Sequence, residues 1–298
     1  IKAALGGGGK GMRVANTPEE FPEAYATARK ESEIAFGDGT MYIEHFVVNP
    51  RHIEFQILAD SFGNVIHLGE RDCSIQRNHQ KMIEESPSAA VSPELREKMG
   101  HAAVTAAKAA GYVNAGTIEF LLEPDGKFWF MEMNTRIQVE HPVTEWVTGI
   151  DLVKEQLKIA SGMPLEISQE DVRIQGHAIE CRINAENPQK NFRPSPGTIQ
   201  GAHFPGGNGI RVDTCVYNGC KIPPYYDSML AKLIVHAGNR KEAIAKMQSA
   251  LGEVIIDGID TNIDYQYEIL KDEDYQSGNF DTGFLASHII AGVKINEN

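Results

Sequence analysis

The chain has 298 residues, of which 42% are hydrophobic and 23% charged, so it can bury a sizeable core and form about two domains. This composition excludes a mainly disordered chain. Its 28 basic and 41 acidic residues give a net charge of −13, which argues against broad electrostatic binding to nucleic acid or anionic membrane. Any anion that binds must be held by a local group of cations.

The first part of the chain has the pattern of a glycine loop between strands, followed by a helix and a β-rich segment. Thr17-Pro18 is typical of a helix start, and Gly37 follows the expected end near Phe36. The expected strands cover residues 1–5, 12–14, 41–48, 52–59 and 65–70.

The rest of the chain alternates helices with strands. Ser92 precedes Pro93 and Gly111 follows Ala110, so we expect a helix over 93–110. Further helices are expected from Asp151 to Gly162 and after Asn239, and strands over 116–122, 128–133, 176–183, 197–203, 210–216 and 229–236. The change of texture near residue 172 predicts domains over 1–46, 47–171 and 172–298.

The sequence carries no sign of a membrane or secretory segment. No apolar run reaches the roughly 18 residues of a membrane span, and residues 1–5 are too short for a signal-peptide core. The 4 cysteines form no CxxC pair, which predicts reduced thiols and a cytoplasmic protein. The chain begins without Met, directly before a glycine run, and we expect a fragment that lacks its front part.

The glycine run over residues 6–11 predicts a loop that folds over phosphates. It satisfies GxGxxG, but the residues after it have a strand pattern, whereas a dinucleotide fold needs a helix there. Lys10 is followed by Gly11 and not by Ser or Thr, which excludes a Walker A loop. The bare amides can hold phosphates, and Lys2 is placed to reach one. The alternatives are a flexible surface loop and a solvated lysine.

A hairpin near residue 125 predicts a metal site. Alternation places four side chains on one face of the second strand, those of Phe128, Phe130, Glu132 and Asn134. A turn at Asp125-Gly126 pairs Glu119 with Glu132. Two opposed carboxylates repel unless a cation separates them, and an all-oxygen set suits Mg²⁺ or Mn²⁺ that bridges ATP phosphates. The alternative is a solvated hairpin face, against which the two phenylalanines argue.

The polar loop after this strand predicts an anion site. Arg136 offers a planar fork to a small anion, Gln138 and the Val139 amide could complete a cradle, and Glu140 is placed to act as a base. The alternative is an internal salt bridge between Arg136 and Glu140.

Three segments together closely resemble biotin carboxylase, an ATP-grasp enzyme of the biotin-dependent carboxylases. They are KAALGGGGKGMR (2–13), ERDCSIQRNHQK (70–81) and EMNTRIQVEHP (132–142). GHAIECRINAE (176–186) and PPYYDSM (223–229) extend the resemblance through the second half of the chain. The resemblance implies an α+β fold, with an ATP-grasp part whose lid is incomplete and a biotin carboxylase C-terminal domain.

The resemblance also implies a role for individual residues. Those that match the family's ATP site are Lys2, Gly8, Gly9, Glu44, His45, Phe46, Val47, His52, Gln76, His79, Glu119 and Glu132. Those that match its metal ligands are Glu119, Glu132 and Asn134, and those that match its bicarbonate site are Lys81, Arg136, Gln138 and Val139. Glu140 is implied to deprotonate bicarbonate, and Arg182 to stabilise the biotin enolate. Without the resemblance, Arg182 beside Glu180 would be interpreted as a surface ion pair, and residues 77–81 as an ordinary basic loop.

The implied reaction carboxylates biotin with ATP and bicarbonate. No biotin-attachment Met-Lys-Met segment is present, so we expect biotin to be carried by a separate biotin carboxyl carrier protein or domain. The other expected partner is a carboxyltransferase. We expect a homodimer for the full-length protein, and no nucleic acid or membrane partner. Acetyl-CoA carboxylase is the first expectation for the complete system, with keto-acid and other acyl-CoA carboxylases open. The resemblance implies that the family's N-terminal domain and the first half of its lid lie outside this sequence, so we expect an incomplete pocket. The alternatives are another ATP-grasp ligase and a non-catalytic nucleotide-binding fragment.

Overall fold

The computed structural model of the protein describes residues 1–5 and 11–295. Contacts divide the chain into two compact units, Ile1–Val48 and Asn49–Asn298. Within the described residues, no helix is both long and apolar enough to cross a membrane.

The smaller unit contains one helix and one short strand pair. Strand β1 (Lys2–Ala3) pairs antiparallel with β2 (Met41–Tyr42), and Met12 returns antiparallel to Lys2, as the glycine hairpin predicts. Helix α1 (Phe21–Phe36) ends at Gly37 in the left-handed region, with φ of 73°. It begins later than expected, because a turn precedes it in which Thr17 Oγ1 accepts a bond from the Glu20 amide. The expected strand over 41–48 is limited to β2.

The larger unit is built on strands. In chain order these are β3 (Arg51–Ala59), β4 (Val65–Arg77), β5 (Gln80–Ser86), β6 (Asn114–Leu122), β7 (Phe128–Asn134), β8 (His177–Asn184), β9 (Glu186–Asn187), β10 (Arg193–Pro194), β11 (Gly197–Thr198), β12 (Gly201–His203), β13 (Ile210–Thr214), β14 (Lys221–Ile222), β15 (Met229–Ala237), β16 (Ile255–Asp257), β17 (Ile289–Ile290) and β18 (Val293–Lys294). Eight of them form one antiparallel sheet in the order β13-β15-β8-β5-β4-β3-β6-β7.

Two strand expectations need correction. β4 continues past residue 70, where that strand is expected to end, and β5 follows in a segment where no strand is expected. The reason is that charged residues interrupt the apolar pattern there although both strands are buried. The expected strand over 197–203 is divided into β11 and β12. β5 pairs with β8, so the sheet is continuous across residue 172, and the division into 47–171 and 172–298 stays a prediction.

The helices of this unit are α2 (Pro93–Ala109), α3 (His141–Thr148), α4 (Leu152–Ala160), α5 (Arg240–Glu253), α6 (Ile263–Lys271), α7 (Glu273–Ser277) and α8 (Phe284–Ser287). Three of them begin at caps that the sequence indicates. The side chains of Ser92, Asp151 and Asn239 each accept a bond from a backbone amide of the first turn. Helices α3, α6, α7 and α8 were not expected.

Helices cover both faces of the sheet and leave a polar layer under α3. On one face, Met99 and Ala103 of α2 pack with Phe55 of β3 in an apolar cluster. On the other face, α3 packs Val143 and Val147 against Ala178 and Ile234. Since side chains alternate along a strand, Glu54 points toward the α3 face, away from α2. The functional side chains lie in this layer.

Candidate active site

A buried arginine at the centre of the sheet organises the layer under α3. Arg71 is 0% exposed, and all five of its N–H groups have acceptors. They donate to Glu54 Oε1 (2.5 Å), Gln56 Oε1 (2.7 Å), Thr144 Oγ1 (3.0 Å), Thr117 Oγ1 (3.2 Å) and Gln138 Oε1 (3.0 Å). These partners come from β3, β6, α3 and the loop between β7 and α3. One side chain therefore joins the sheet to the loop that carries the predicted anion site.

Lys81 joins three carboxylates beside this arginine. Its Nζ lies 2.5 Å from Glu54 Oε2, 3.0 Å from Glu119 Oε1 and 2.6 Å from Glu140 Oε1. Burial alone would raise the pKa of Glu54, but Arg71 and Lys81 outweigh burial and lower it to about 2. Burial opposes the charged form of Lys81, yet the carboxylates, led by Glu54, raise its pKa well above the usual value. Lys81 is thus held as a cation.

Arg182 holds the other side of Glu140. Its Nη2 lies 2.9 Å from Glu140 Oε2 and 2.5 Å from Glu84 Oε1. Burial opposes its charge, but Glu84 and then Glu140 raise its pKa. The interpretation as a surface ion pair with Glu180 is wrong, because the arginine engages these two carboxylates and Glu180 is 0% exposed. Glu140 therefore lies between two cations, on opposite oxygens of its carboxylate.

The hairpin of β6 and β7, which we call the carboxylate hairpin, has the predicted strand pairing, but its side chains do not all lie on the predicted faces. Glu119 is the direct partner of Glu132 across β6 and β7. A register shift follows Glu119, however, so that Phe130 pairs with Phe120, whose ring belongs to the apolar cluster under α2. The expectation that the phenylalanines share the face of Glu132 is therefore wrong, because the bulge turns them to the other side. Phe130 is also 58% exposed, so it gives no support for burial of this face.

Asn134 lies between the two carboxylates. Its Nδ2 donates to Glu119 Oε1 at 3.0 Å and to Glu132 Oε1 at 3.3 Å. The carboxylates of Glu119 and Glu132 therefore both point toward one positively polarised group, the Asn134 side-chain NH₂. Three oxygen-bearing side chains around such a point fit a hard divalent cation such as Mg²⁺.

His52 and Gln138 support this hairpin from the sheet and from the loop. His52 Nε2 lies 3.1 Å from Glu119 Oε2, and Gln138 Nε2 donates to Glu119 Oε1 at 2.8 Å. Burial would raise the pKa of Glu119, but His52 and Lys81 outweigh burial and lower it. Glu119 is therefore an ionised carboxylate that links the hairpin to the Lys81 group.

The anion cradle is assembled in part. Arg136 is exposed and donates to Asn134 Oδ1 at 3.3 Å and to the Ile137 carbonyl at 3.2 Å. The salt bridge between Arg136 and Glu140 is not formed, since Glu140 engages Lys81 and Arg182. Val139 is held through its carbonyl, which accepts a bond from Lys232 Nζ at 2.9 Å.

The remaining predicted nucleotide residues lie in several places. Gln76 is buried near the end of β4, and His79 is exposed in the turn before β5, with φ of 61°. In the smaller unit, Lys2 Nζ lies 2.9 Å from Glu44 Oε2. His45 and Phe46 are exposed and Val47 is buried there. Gly8 and Gly9 lie outside the described residues.

Sequence reasoning gave no role to several residues of this layer. Arg71, Glu54, Glu84 and Lys232 are all in it, and the first three are completely buried. The expected strand ends at residue 70, so the sequence pattern carries no signal that Arg71 is buried. The partners themselves are more than a dozen residues away, so local patterns do not identify them.

Comparison with known proteins agrees with this arrangement. The family model described as "Carbamoyl-phosphate synthase L chain, ATP binding domain" matches residues 1–168. The model described as "Biotin carboxylase C-terminal domain" matches residues 180–287. The expected α+β fold, an ATP-grasp part followed by this C-terminal domain, is confirmed.

Similar proteins and structures carry related names. The chain is 57% identical to biotin carboxylase 1 of Bacillus subtilis, over 98% of this chain and 65% of that protein. It is 56% identical to a biotin carboxylase of a Nostoc species, over 96% of this chain and 64% of that protein. The chain is also similar to a crystal structure of the biotin carboxylase domain dimer of Hydrogenobacter thermophilus 2-oxoglutarate carboxylase, which contains MgADP, ADP and bicarbonate. The two superpose with a TM-score of 0.91 at 52% identity. The match covers 96% of this chain and 63% of that one.

The chain belongs to the ATP-binding family that the first model describes, and residues 180–287 match the biotin carboxylase C-terminal domain. It spans less than two thirds of the length of these relatives.

The role of Arg71 leads to a stability prediction. Arg71→Met removes one of the two cations that lie 2.5 Å from the buried Glu54 carboxylate and leaves four other buried acceptors without their donor, so the free energy of unfolding should fall by about 3–5 kcal/mol. Urea unfolding followed by tryptophan fluorescence measures this, because Trp129 and Trp146 both belong to the larger unit. The control, Arg173→Met at an exposed position, should change stability by about 0.5 kcal/mol or less. Equal effects of the two substitutions would contradict the central role of Arg71.

Proposed function

We propose that this chain catalyses the ATP-dependent carboxylation of biotin by bicarbonate. The observation that carries the proposal is the Glu140 carboxylate between two cations, with Lys81 Nζ at 2.6 Å and Arg182 Nη2 at 2.9 Å. A base held in this way lies where cations can also attract an anionic substrate. The relative from Hydrogenobacter, whose structure contains MgADP and bicarbonate, supports the same chemistry.

ATP and a divalent cation are proposed to bind at the carboxylate hairpin. Glu119, Glu132 and Asn134 would hold Mg²⁺ or Mn²⁺, which when bound neutralises phosphate charge during phosphoryl transfer. His52, Gln76 and His79 of the larger unit, and Lys2, Gly8, Gly9 and residues 44–47 of the smaller one, are proposed nucleotide contacts.

The first proposed step forms carboxyphosphate. Lys81, Arg136, Gln138 and the Val139 amide bind bicarbonate, and Glu140 accepts its proton. The freed bicarbonate oxygen attacks the γ-phosphorus of ATP, the bond from that phosphorus to the β–γ bridging oxygen breaks, and ADP leaves. The reaction therefore consumes one ATP for each bicarbonate that is activated.

The second proposed step carboxylates biotin. Carboxyphosphate separates into CO₂ and phosphate, and the phosphate takes the N–H proton of the biotin ureido group. Arg182 stabilises the resulting enolate, whose nitrogen then bonds to the CO₂ carbon. Its position between Glu84 and Glu140 keeps the guanidinium fixed for this task.

The proposed partners follow from the same reaction. Biotin is carried on a separate carrier protein or domain, and a carboxyltransferase uses the product; we also propose a homodimer for the full-length protein. Acetyl-CoA carboxylase, and with it fatty acid synthesis, is our first assignment for the complete system. The described cysteines form no disulfide, which supports a cytoplasmic location.

Replacement of the base tests the reaction. Glu140→Gln should lower bicarbonate- and biotin-dependent phosphate release from MgATP by about 10²–10⁴-fold, since general base catalysis contributes that much. Nucleotide binding, followed by a fluorescent ATP analogue, should stay the same.

The control for this measurement is Glu166→Gln. Glu166 is exposed and forms an ion pair with Lys158 at 3.2 Å, outside the candidate site. It should leave phosphate release unchanged. Unchanged release in Glu140→Gln would overturn the role of the base. Release that needs bicarbonate but not biotin would favour another ATP-grasp ligase.

The hairpin leads to a separate prediction for the metal. Glu132→Gln removes one of the two opposed charges, so Mn²⁺ affinity in the presence of nucleotide should fall by about 10–100-fold, the range seen when groups around a metal are altered. Free Mn²⁺ measured by electron paramagnetic resonance gives this value without turnover. The control is Glu123→Gln. Glu123 follows β6 in the same hairpin and accepts a hydrogen bond from Trp129 Nε1 at 2.5 Å, so this variant should bind Mn²⁺ with normal affinity. Equal affinity in both variants would remove Glu132 from the metal site.

A further inference from the structure

A pair of glutamates under Arg182 has no role in the reaction proposed above. Glu84 of β5 and Glu180 of β8 are direct partners in the sheet, and both are 0% exposed. Direct partners place their side chains on the same face, close to one another. Two ionised carboxylates in this arrangement would repel each other strongly in a buried environment.

The two carboxylates differ in whether a cation contacts them. Glu84 has a cation, Arg182 Nη2, at 2.5 Å. Among the described residues, the carboxylate oxygens of neither glutamate accept a well-directed hydrogen bond, and no cation forms an ion pair with Glu180, since Arg182 Nη2 contacts Glu84 and Glu140. Burying an unpartnered charge is far more costly than burying a neutral acid. The proton shared by the pair therefore belongs on Glu180.

The charged groups around Glu180 do not offset a second negative charge. They are Glu84 from β5, Arg182 on its own strand, Lys232 from β15 and Glu140, which directly precedes α3. Lys232 is engaged elsewhere, with its Nζ 3.3 Å from Asp213 Oδ2. Burial first, and then Glu84, raises the pKa of Glu180 well above its usual value. Burial also raises the pKa of Glu84, but Arg182 opposes this and limits the rise to about 7.

We propose that Glu180 is a positioning residue that keeps its proton at neutral pH, so that it and Glu84 carry a single negative charge that orients Arg182 without cancelling its positive charge. If Glu180 were ionised, Arg182 would face three carboxylates, Glu84, Glu140 and Glu180. An arginine so neutralised would attract an anion weakly. The functional part of this inference rests on the role proposed for Arg182, but its test does not depend on turnover.

Infrared spectroscopy tests the protonation state directly. A protonated carboxylic acid has a carbonyl stretching band that an ionised carboxylate lacks. The measurement is made at pH 8, above the pKa of about 7 to which burial raises Glu84. The wild-type chain should show this band there, and Glu180→Gln should lose it. Gln has the size and neutrality of the protonated acid, so we expect the variant to fold.

The matched control is Glu85→Gln. Glu85 is adjacent to Glu84 and equally buried, but it is paired with Arg240 (2.9 Å) and His177 (3.3 Å), and its pKa is lowered, since these partners outweigh burial. This variant should retain the band. A wild-type spectrum without the band, or a band that Glu180→Gln retains, would overturn the proposal. If either variant does not fold, carbon NMR of the wild-type chain labelled at its glutamate carboxyls decides the same point.

The pH dependence of unfolding gives an independent test. The unfolded chain releases the Glu180 proton near its usual pKa of 4.5, whereas the folded chain keeps it. Stability is therefore lost as pH rises above 4.5, and this group alone increases the unfolding equilibrium constant by about tenfold for each pH unit. Glu180→Gln has no such group, so it should become progressively more stable than the wild type between pH 5 and 8, by about tenfold in that constant for each unit. Parallel stability profiles of the two proteins would contradict a retained proton.

Discussion

The arrangement of the site depends on the burial of one guanidinium group. A charged group inside a protein is tolerated only when its hydrogen-bonding capacity is filled, and Arg71 meets this condition with five acceptors. Because one acceptor, Gln138, belongs to the loop between β7 and α3, the arginine fixes this loop on the sheet. Glu140 lies two residues further along the same loop. The position of the proposed base is therefore a consequence of how a buried charge is satisfied.

The same condition explains why the functional residues form one connected group. Lys81 bonds the carboxylates of Glu54, Glu119 and Glu140, which come from two strands and the loop. Each carboxylate contacts a cation that the other two carboxylates also contact. Removing one member leaves a buried charge without a partner, so position and protonation change together. We infer that folding and site geometry are coupled here more closely than in a site assembled from exposed loops.

The parts of the fold that local rules govern could be predicted from the sequence. Ser92, Asp151 and Asn239 cap helices as expected, and a turn signal at Asp125-Gly126 was sufficient to pair Glu119 with Glu132. The bulge after Glu119 was not predictable, because no residue in the hairpin requires it, and it reversed the faces of the phenylalanines. The order of strands in the sheet also depends on distant contacts that a single sequence does not contain.

For the site, residue types were predictable and their partners were not. Arg182 was assigned a role only through a family resemblance, since the pattern around it is that of a surface ion pair. Its environment comes from Glu84 and Glu140, which lie about 100 and 40 residues away along the chain. Glu180 was overlooked for the same reason: a glutamate in a strand is ordinarily solvated, and only the paired strand β5 makes this one unusual.

The central claim is that bicarbonate oxygen attacks ATP with Glu140 as the base. The most direct measurement supplies the protein with MgATP, biotin and bicarbonate labelled with ¹⁸O, and determines the isotope content of the released phosphate by mass spectrometry. The account predicts one labelled oxygen from bicarbonate in each phosphate, because the attacking oxygen stays on phosphorus when carboxyphosphate separates. Phosphate whose new oxygen comes from water would show direct hydrolysis of ATP and contradict the account.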